Sequence, residues 1–217
     1  MLNSRLPSCI LLLLILTVFF YEKAEAQKNL QVSFFPGYHA INSDKLSSDP
    51  NVTQTDWIYG GSIGTRFQIN NIPLEYVIGF SHGRSTILEQ INAKNIGTIY
   101  TVDLRYRTLP QEIFFVHSLS DRIQLLTGVN VTAQDRTLMY SGVDIKNDRL
   151  FSMGIGLSGK VHLVLATFGP GNSKVYMNLS ARWTEFIYHN EKNRILDDFT
   201  LRHVTLSPQI GVSYRFK

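Results

Sequence analysis

The sequence predicts an all-β protein, namely a single eight-stranded antiparallel up-and-down transmembrane β-barrel. Three observations lead to this prediction: the composition, a recurring two-residue alternation, and connections that alternate between short and long. The 217 residues include 13 Phe, 10 Tyr and 15 Gly, whereas charged residues make up only 18%, less than the usual quarter. Aromatic residues favour strands, and glycine favours turns and crowded strand positions.

The alternation is clearest in segment 56–70, where Trp57, Tyr59 and Ile63 occupy one face and Ser62, Arg66 and other small or polar residues the opposite one. Successive side chains of a strand point to opposite faces. Alternation of the same kind recurs in later segments, and a less regular one near 30–41 completes eight strands. The later segments are 74–81, 100–107, 123–132, 152–163, 175–184 and 203–216.

The connections between these strands differ in length in a regular order. Short turns are predicted at 70–71, 118–121 and 169–172, and polar stretches of ten or more residues at 42–55, 86–97, 134–149 and 189–199. Outer-membrane barrels have short periplasmic turns and longer outer loops. We therefore expect both chain ends on the side of the short turns.

The choice between a membrane barrel and a soluble lipocalin-type barrel depends on which face is apolar. Eight strands leave an interior just wide enough for side chains. Small residues and paired charges fit that space, whereas eight aromatic-rich faces do not. Turning the apolar faces outward suits lipid, and closing the sheet satisfies every backbone group. The membrane barrel is the better interpretation.

Two sets of side chains follow from this assignment of faces. We expect an inward set of charges that pair and plug the lumen, because buried charges must be compensated; an ion-conducting lumen is the alternative. We expect an outward set that forms aromatic girdles at the membrane interfaces. The inward set is Arg66, Glu75, Asp103, Arg105, Arg107, Lys160 and Arg182, and the girdle set is Trp57, Tyr59, Tyr100, Tyr106 and Trp183.

The N-terminus has the features of a secretory signal peptide. Arg5 precedes a twelve-residue run of apolar or small residues from Cys9 to Phe20, and Ala24-Glu25-Ala26 forms a cleavage site before Gln27. A transmembrane helix is the alternative, but this run is shorter than the roughly 20 residues that a helix needs to span a bilayer. We expect a signal peptide at 1–26, a barrel at 27–217, and export to the bacterial outer membrane. Cys9 is the only cysteine, so the mature chain has no disulfide.

Little in the sequence indicates catalysis or a cofactor. No run of like charges suggests nucleic acid as a partner, and the six dispersed histidines lack metal-ligand spacing. An outer-membrane lipid A hydrolase would need a Ser–His pair within hydrogen-bond reach, and only Ser81-His82-Gly83-Arg84-Ser85 suggests one. Neighbouring strand residues point opposite ways, so Ser81 and His82 should not pair. We expect no enzyme, no cofactor and no metal.

The C-terminus, Ile210 to Lys217, resembles the closing-strand signal of outer-membrane barrels, with an alternation that ends in an aromatic residue followed here by Lys217. The residues that carry it are Ile210, Val212, Tyr214 and Phe216. The mature chain resembles the small eight-stranded outer-membrane family that includes OmpX-like and PorT-like barrels. Segment 100–115 resembles a PorT-like strand in which a Leu-Pro step interrupts the ladder.

This resemblance implies a non-catalytic structural or interaction component, such as a PorT-like subunit of a secretion or gliding assembly. An OmpX-type surface adhesion or ligand-binding barrel is the alternative. The expected partners are outer-membrane lipid and lipopolysaccharide, the barrel-assembly machinery during insertion, and proteins of an envelope complex. The phosphates of lipopolysaccharide would suit the Arg and Lys residues of the long polar loops, such as Lys45, Arg136 and Lys192.

Overall fold

The computed structural model describes residues 25–43, 54–93, 96–141, 148–169, 173–189 and 201–215. Eight antiparallel strands follow one another around a closed barrel, with β8 paired to β1, so the predicted fold class is confirmed. Among the described residues, no helix is long and apolar enough to cross a membrane. The strands are β1 Glu25–Ser43, β2 Gln54–Ile69, β3 Ile72–Ala93, β4 Ile96–Ser118, β5 Ile123–Ser141, β6 Asp148–Phe168, β7 Ser173–His189 and β8 Leu201–Arg215.

The short turns lie where the sequence predicts them and together define one end of the barrel, called here the turn end. Asn70 and Asn71 have φ values of 50° and 65°, as a two-residue type I′ hairpin requires, and asparagine tolerates this left-handed conformation better than most residues. Gly169 also has a positive φ, of 72°. The other short turn, between β4 and β5, contains a bond from the Leu119 amide to the Ile123 carbonyl.

The opposite end, called here the loop end, differs from the prediction. Much of the predicted loops 86–97 and 134–149 is strand, because β3 continues to Ala93, β4 starts at Ile96 and β5 continues to Ser141. β3 and β4 contain 22 and 23 residues, whereas a strand needs only about 9–11 residues to cross a bilayer. Polar residues of low intrinsic strand preference are held there by pairing with a neighbour, as in Glu89 opposite Tyr100. The β3–β6 side therefore projects beyond the membrane.

The assignment of faces is confirmed for β2, β3 and β5–β8. Apolar side chains such as Ile63, Phe80 and Leu157 are exposed on the outer surface, and polar ones such as Ser158 and Gln209 are buried inside. A lipid-exposed surface with this polarity, on a sheet without edges, is what a bilayer core requires. The molecule is built as a transmembrane barrel.

The assignment is wrong for β4. Arg105 and Arg107, predicted to face the lumen, are exposed on the outer surface, and Tyr106, predicted to face lipid, is 1% exposed and fills the lumen. Its ring lies over Gly83, where a β-carbon would overlap it. The rule that apolar side chains face outward holds only at the height of the hydrocarbon core. Beyond it the outside is polar, so arginines can face outward there.

Pro110 interrupts the β4 ladder on the β3 side, as the resemblance implied, because the pairings of Gly79 with Pro110 and of Phe80 with Leu109 are missing there. On the β5 side Pro110 pairs with Thr132 without a shift of register. On the β3 side the pairing of Ile78 with Gln111 and that of Ser81 with Thr108 keep the same register on both sides of the proline. Proline cannot donate to a ladder, so pairing with β3 stops at the Leu109-Pro110 step although the strand itself continues through it.

Candidate functional site

The lumen is crossed by two ion-pair clusters that join strands on opposite walls. In the first, Glu75 of β3 is fully buried and accepts two charged donors. The Arg66 Nε atom lies 2.8 Å from Glu75 Oε2, and the Lys160 Nζ atom lies 2.9 Å from Glu75 Oε1. The Lys160 ammonium also lies 4.6 Å from the centre of the Phe114 ring, an arrangement that adds cation–π attraction. β3 is thereby tied to β6 across the barrel.

The second cluster is centred on Glu112 of β4. Its Oε1 atom accepts a bond of 3.0 Å from Arg182 Nε of β7 and one of 2.6 Å from Ser158 Oγ of β6. Both charged groups are buried. Ionised partners make hydrogen bonds roughly twice as strong as neutral ones, and removing either partner would leave a buried charge uncompensated.

Asn130 of β5 connects this cluster to the wall. Its Nδ2 group donates to the Trp183 carbonyl at 3.1 Å and to Ser158 Oγ at 3.2 Å. Its Oδ1 atom accepts from Thr132 at 3.0 Å and from Thr184 at 2.9 Å. Both ends of the amide are therefore satisfied, as a buried polar side chain requires.

A third polar group lies on β6, β7 and β8. His162 Nδ1 is 2.8 Å from Asn178 Oδ1, and Asn178 Nδ2 donates to Gln209 Oε1 at 3.4 Å. Gln209 also accepts from Ser33 of β1 at 3.4 Å, so this group spans the closure of the barrel. The lumen also contains an apolar cluster formed by Val77, Phe114, Val116 and Leu126. It lies beside the ion pairs, because Val77 is opposite Glu112 and Phe114 is opposite Glu75 in the β3–β4 ladder.

Four of the predicted lumen charges come together in the lumen: Arg66, Glu75, Lys160 and Arg182. The side chain of Asp103 lies outside the described residues, and Arg105 and Arg107 face outward. The sequence interpretation missed Glu112, because assigning β4 to the wrong face placed it outside. Charge balance could have indicated a further inward carboxylate, since the predicted inward set has more arginine and lysine residues than its two carboxylates, Glu75 and Asp103, can compensate.

What the lumen can do follows from these contacts. Its side chains bridge β3 to β6 and β4 to β7 through direct bonds, and many of the other buried polar groups bond to one another. These cross-barrel bonds stabilise the barrel and help to fix the relative positions of its strands. The lumen provides no nucleophile–base pair among the bonds described above.

Three neighbouring side chains on the outer surface lie at the expected height of the membrane interface, one crossing of the bilayer away from the turn end. Tyr59, His82 and Arg107 each lie eleven residues from the turn-end residues Asn70, Asn71 and Ser118 respectively, matching the roughly 9–11 residues of a membrane-crossing strand.

Of the predicted girdle, Trp57 and Tyr59 are 71% and 64% exposed, and Trp183 is also exposed on the outer surface. Tyr106 instead points inward, and the side chain of Tyr100 lies outside the described residues.

The two residues of the hydrolase hypothesis lie on opposite faces. Ser81 is buried in the lumen and bonds to Thr108, whereas His82 faces outward with its ring 5.3 Å from that of Tyr59, edge to face. The side chain of Ser85 is not among the described ones. Within the described residues, no group of three His, Cys, Asp or Glu side chains could hold a metal ion.

The closing strand pairs with β1 from Leu201 to Arg215, and Ile210 and Val212 face outward as expected. The side chain of Tyr214 and all of Phe216 lie outside the described residues. Recognition of this strand by an assembly machinery stays a prediction.

Comparison with known proteins identifies the fold. No family model matches the sequence, and no curated protein sequence matches it. Neisserial surface protein A is similar in structure, with a TM-score of 0.54 and 13% identity over 86% of this chain and 97% of that one. The attachment invasion locus protein of Yersinia pestis, with bound sucrose octasulfate, has a TM-score of 0.46 and 11% identity over 84% and 97%.

A major outer membrane protein from Thermus thermophilus has a TM-score of 0.47 and 13% identity over 86% of this chain and 99% of that one. The likeness to neisserial surface protein A shows the fold, a small outer-membrane β-barrel of the OmpX-like kind. Identities this low identify a fold and leave the activity open.

Proposed function

We propose that this chain is a non-catalytic barrel of the outer membrane that binds a protein partner through its β3–β4 hairpin at the loop end. One observation carries the proposal. β2 pairs with β3 only as far as Ile58 opposite Gly83, whereas β3 pairs with β4 as far as Ala93 opposite Ile96. Within the described ranges, segment 85–93 of β3 is paired with a strand on its β4 side only.

An open strand edge is a binding surface in its own right. It presents a row of backbone N–H and C=O groups that an extended segment of another chain can pair with. The nine residues of segment 85–93 span about 30 Å at about 3.3 Å per residue, enough for a strand of ordinary length. Soluble proteins usually cover or shorten such edges.

The plugged lumen supports an interaction role over a transport role, because ion pairs across the barrel leave the outer surfaces as the accessible ones. Two forms of the role fit the hairpin. The barrel acts as a PorT-like subunit of a secretion or gliding assembly, which is the form we favour, or as an OmpX-type adhesion barrel that binds a ligand outside the cell. They differ in whether a partner remains bound in the envelope.

The experiment shortens the hairpin by replacing residues 87–102 with an Asn-Gly turn, which retains the pairing of Ser85 with Leu104. We expect the wild-type protein, extracted from outer membranes in mild detergent, to form a particle clearly larger than one barrel with its detergent. The shortened variant should form a one-barrel particle. Native mass measurement distinguishes these states, and a change in gel mobility on boiling verifies that each barrel is folded.

A matched control replaces residues 142–147 with a Gly-Ser linker of equal length, which leaves the β3 edge untouched. This variant should retain the large particle. A wild-type particle of one-barrel size would reject the assembly subunit in favour of the adhesion barrel. A large particle that survives the shortening would reject the hairpin as the contact surface.

The absence of catalysis is part of the proposal and has its own test. We expect His82→Ala to leave the lipid A pattern of the cells unchanged in mass spectrometry, because Ser81 and His82 point to opposite faces. The control is a strain that lacks the protein. A lipid A species that is lost in both strains would overturn this part of the proposal and indicate a hydrolase.

A further inference from the structure

Three arginines form an outward-facing cluster near the membrane boundary. Arg84 of β3 and Arg105 and Arg107 of β4 are all exposed, and Arg84 lies directly opposite Arg105 in the ladder. Such opposite residues have their β-carbons about 5 Å apart, and like charges there repel. Asp135 of β5 lies opposite Arg107, so three arginines and one carboxylate lie close together among the described outward side chains.

An apolar groove lies directly on the turn-end side of this cluster. It has a volume of about 700 Å³ and runs over the outer face of β1–β4. Gly61 forms part of its floor between Phe34 and Phe80, its ladder neighbours on the two sides, and Leu109 lines its β4 side. The groove lies at the height of the hydrocarbon core, where an acyl chain can occupy it.

The groove and the arginine cluster adjoin on the same face. Tyr59, His82 and Arg107 lie two residues nearer the loop end than Gly61, Phe80 and Leu109, respectively. Two residues is one repeat of the strand pattern, so the side chains follow one another directly on the surface. Tyrosine at this height is typical of a membrane interface. A ligand with acyl chains in the groove would therefore place its headgroup among the arginines.

We propose that the outer face of β2–β4 binds one molecule of lipid A, with its phosphates on Arg84, Arg105 and Arg107 and an acyl chain in the groove. Guanidinium groups suit phosphate because they donate two parallel hydrogen bonds, and an anion between Arg84 and Arg105 removes their repulsion. Three arginines match a headgroup with more than one phosphate better than a phospholipid with one. The loop end faces the outer leaflet, where lipid A is located.

This inference requires an outer-membrane location but no protein partner. The test uses wild-type barrel, refolded in detergent and stripped of lipid, titrated with purified lipid A, with dephosphorylated lipid A and with phosphatidylglycerol. We expect one equivalent of lipid A to bind. The Arg105→Gln/Arg107→Gln variant should bind it about 10- to 100-fold more weakly, because each lost arginine removes charge-assisted hydrogen bonds.

The matched control is Arg122→Gln/Lys174→Gln, which removes two positive charges at the turn end and should bind as the wild type does. A change in gel mobility on boiling verifies folding of each variant. Unchanged affinity of the arginine variant would overturn the proposal. Equal wild-type affinity for dephosphorylated lipid A, or for phosphatidylglycerol, would also overturn it, and neither result depends on a variant that must fold.

Discussion

Replacing Glu75 with alanine is expected to lower the free energy of unfolding by about 3–5 kcal/mol, because it leaves buried cations without a counter-charge. Glu75 is fully buried and is the acceptor for both Arg66 and Lys160. The measurement is urea unfolding of the refolded barrel in lipid vesicles, followed by tryptophan fluorescence. Trp57 and Trp183 are on the outer surface and report the loss of contact with lipid.

Two further variants show whether the effect arises from the ion pairs. Glu75→Ala/Lys160→Met should recover part of the lost stability, since it removes one of the two cations that Glu75→Ala leaves without a counter-charge. Together with the two single variants it forms a double-mutant cycle, which gives the coupling energy. Asp121→Ala, in an exposed turn, should change stability by no more than about 0.5 kcal/mol. A loss below about 1 kcal/mol for Glu75→Ala would mean that water solvates the lumen charges.

Gly156→Ala is expected to cost about 2–3 kcal/mol, within the range for an overpacked interior. A β-carbon at Gly156 would overlap the Trp183 carbonyl oxygen, which is backbone and cannot rotate away. The same carbonyl accepts the 3.1 Å bond from Asn130, so a shift of β7 would also disturb the polar network. The check is the same unfolding measurement, together with the fraction of protein that folds.

Gly159 of the same strand provides the matched control. A β-carbon there would approach nothing closer than the Leu126 carbonyl oxygen at 4.0 Å. Gly159→Ala should therefore be neutral or slightly stabilising, because alanine loses less chain entropy than glycine on folding. If both substitutions had the same effect, close contact with β7 would not be the reason for glycine at position 156.

The fold could be predicted from the sequence because its determinants are local. The period of two in β2, β3 and β5–β8, the turn at Asn70-Asn71 and the Gly169 turn each depend on a few adjacent residues. An eight-stranded barrel also has few ways to place apolar and polar faces in a bilayer. Arg66, Glu75, Lys160 and Arg182 followed from this pattern alone.

The extent of the strands at the loop end could not be predicted in the same way. Polar segment 86–93 was predicted as a loop, but the backbone groups on its β4 side pair with residues such as Tyr100 and Thr101. Strand pairing adds stability that the propensity of the single segment does not contain. The sequence therefore did not predict the extended β3–β4 hairpin on which the proposed function rests.

The amino-acid sequence by itself determined the fold class, the number of strands and the inner and outer faces within the membrane, since alternation and turn residues are properties of neighbours along the chain. The tertiary structure alone decided the face of β4, the role of Glu112 and the meeting of Arg84 with Arg105 outside. Those features depend on how high each residue stands in the barrel and on the stagger between strands. Within the hydrocarbon core a charged side chain on the outer surface is unfavourable. A few residues nearer the loop end the surroundings are polar, and an arginine can face outward.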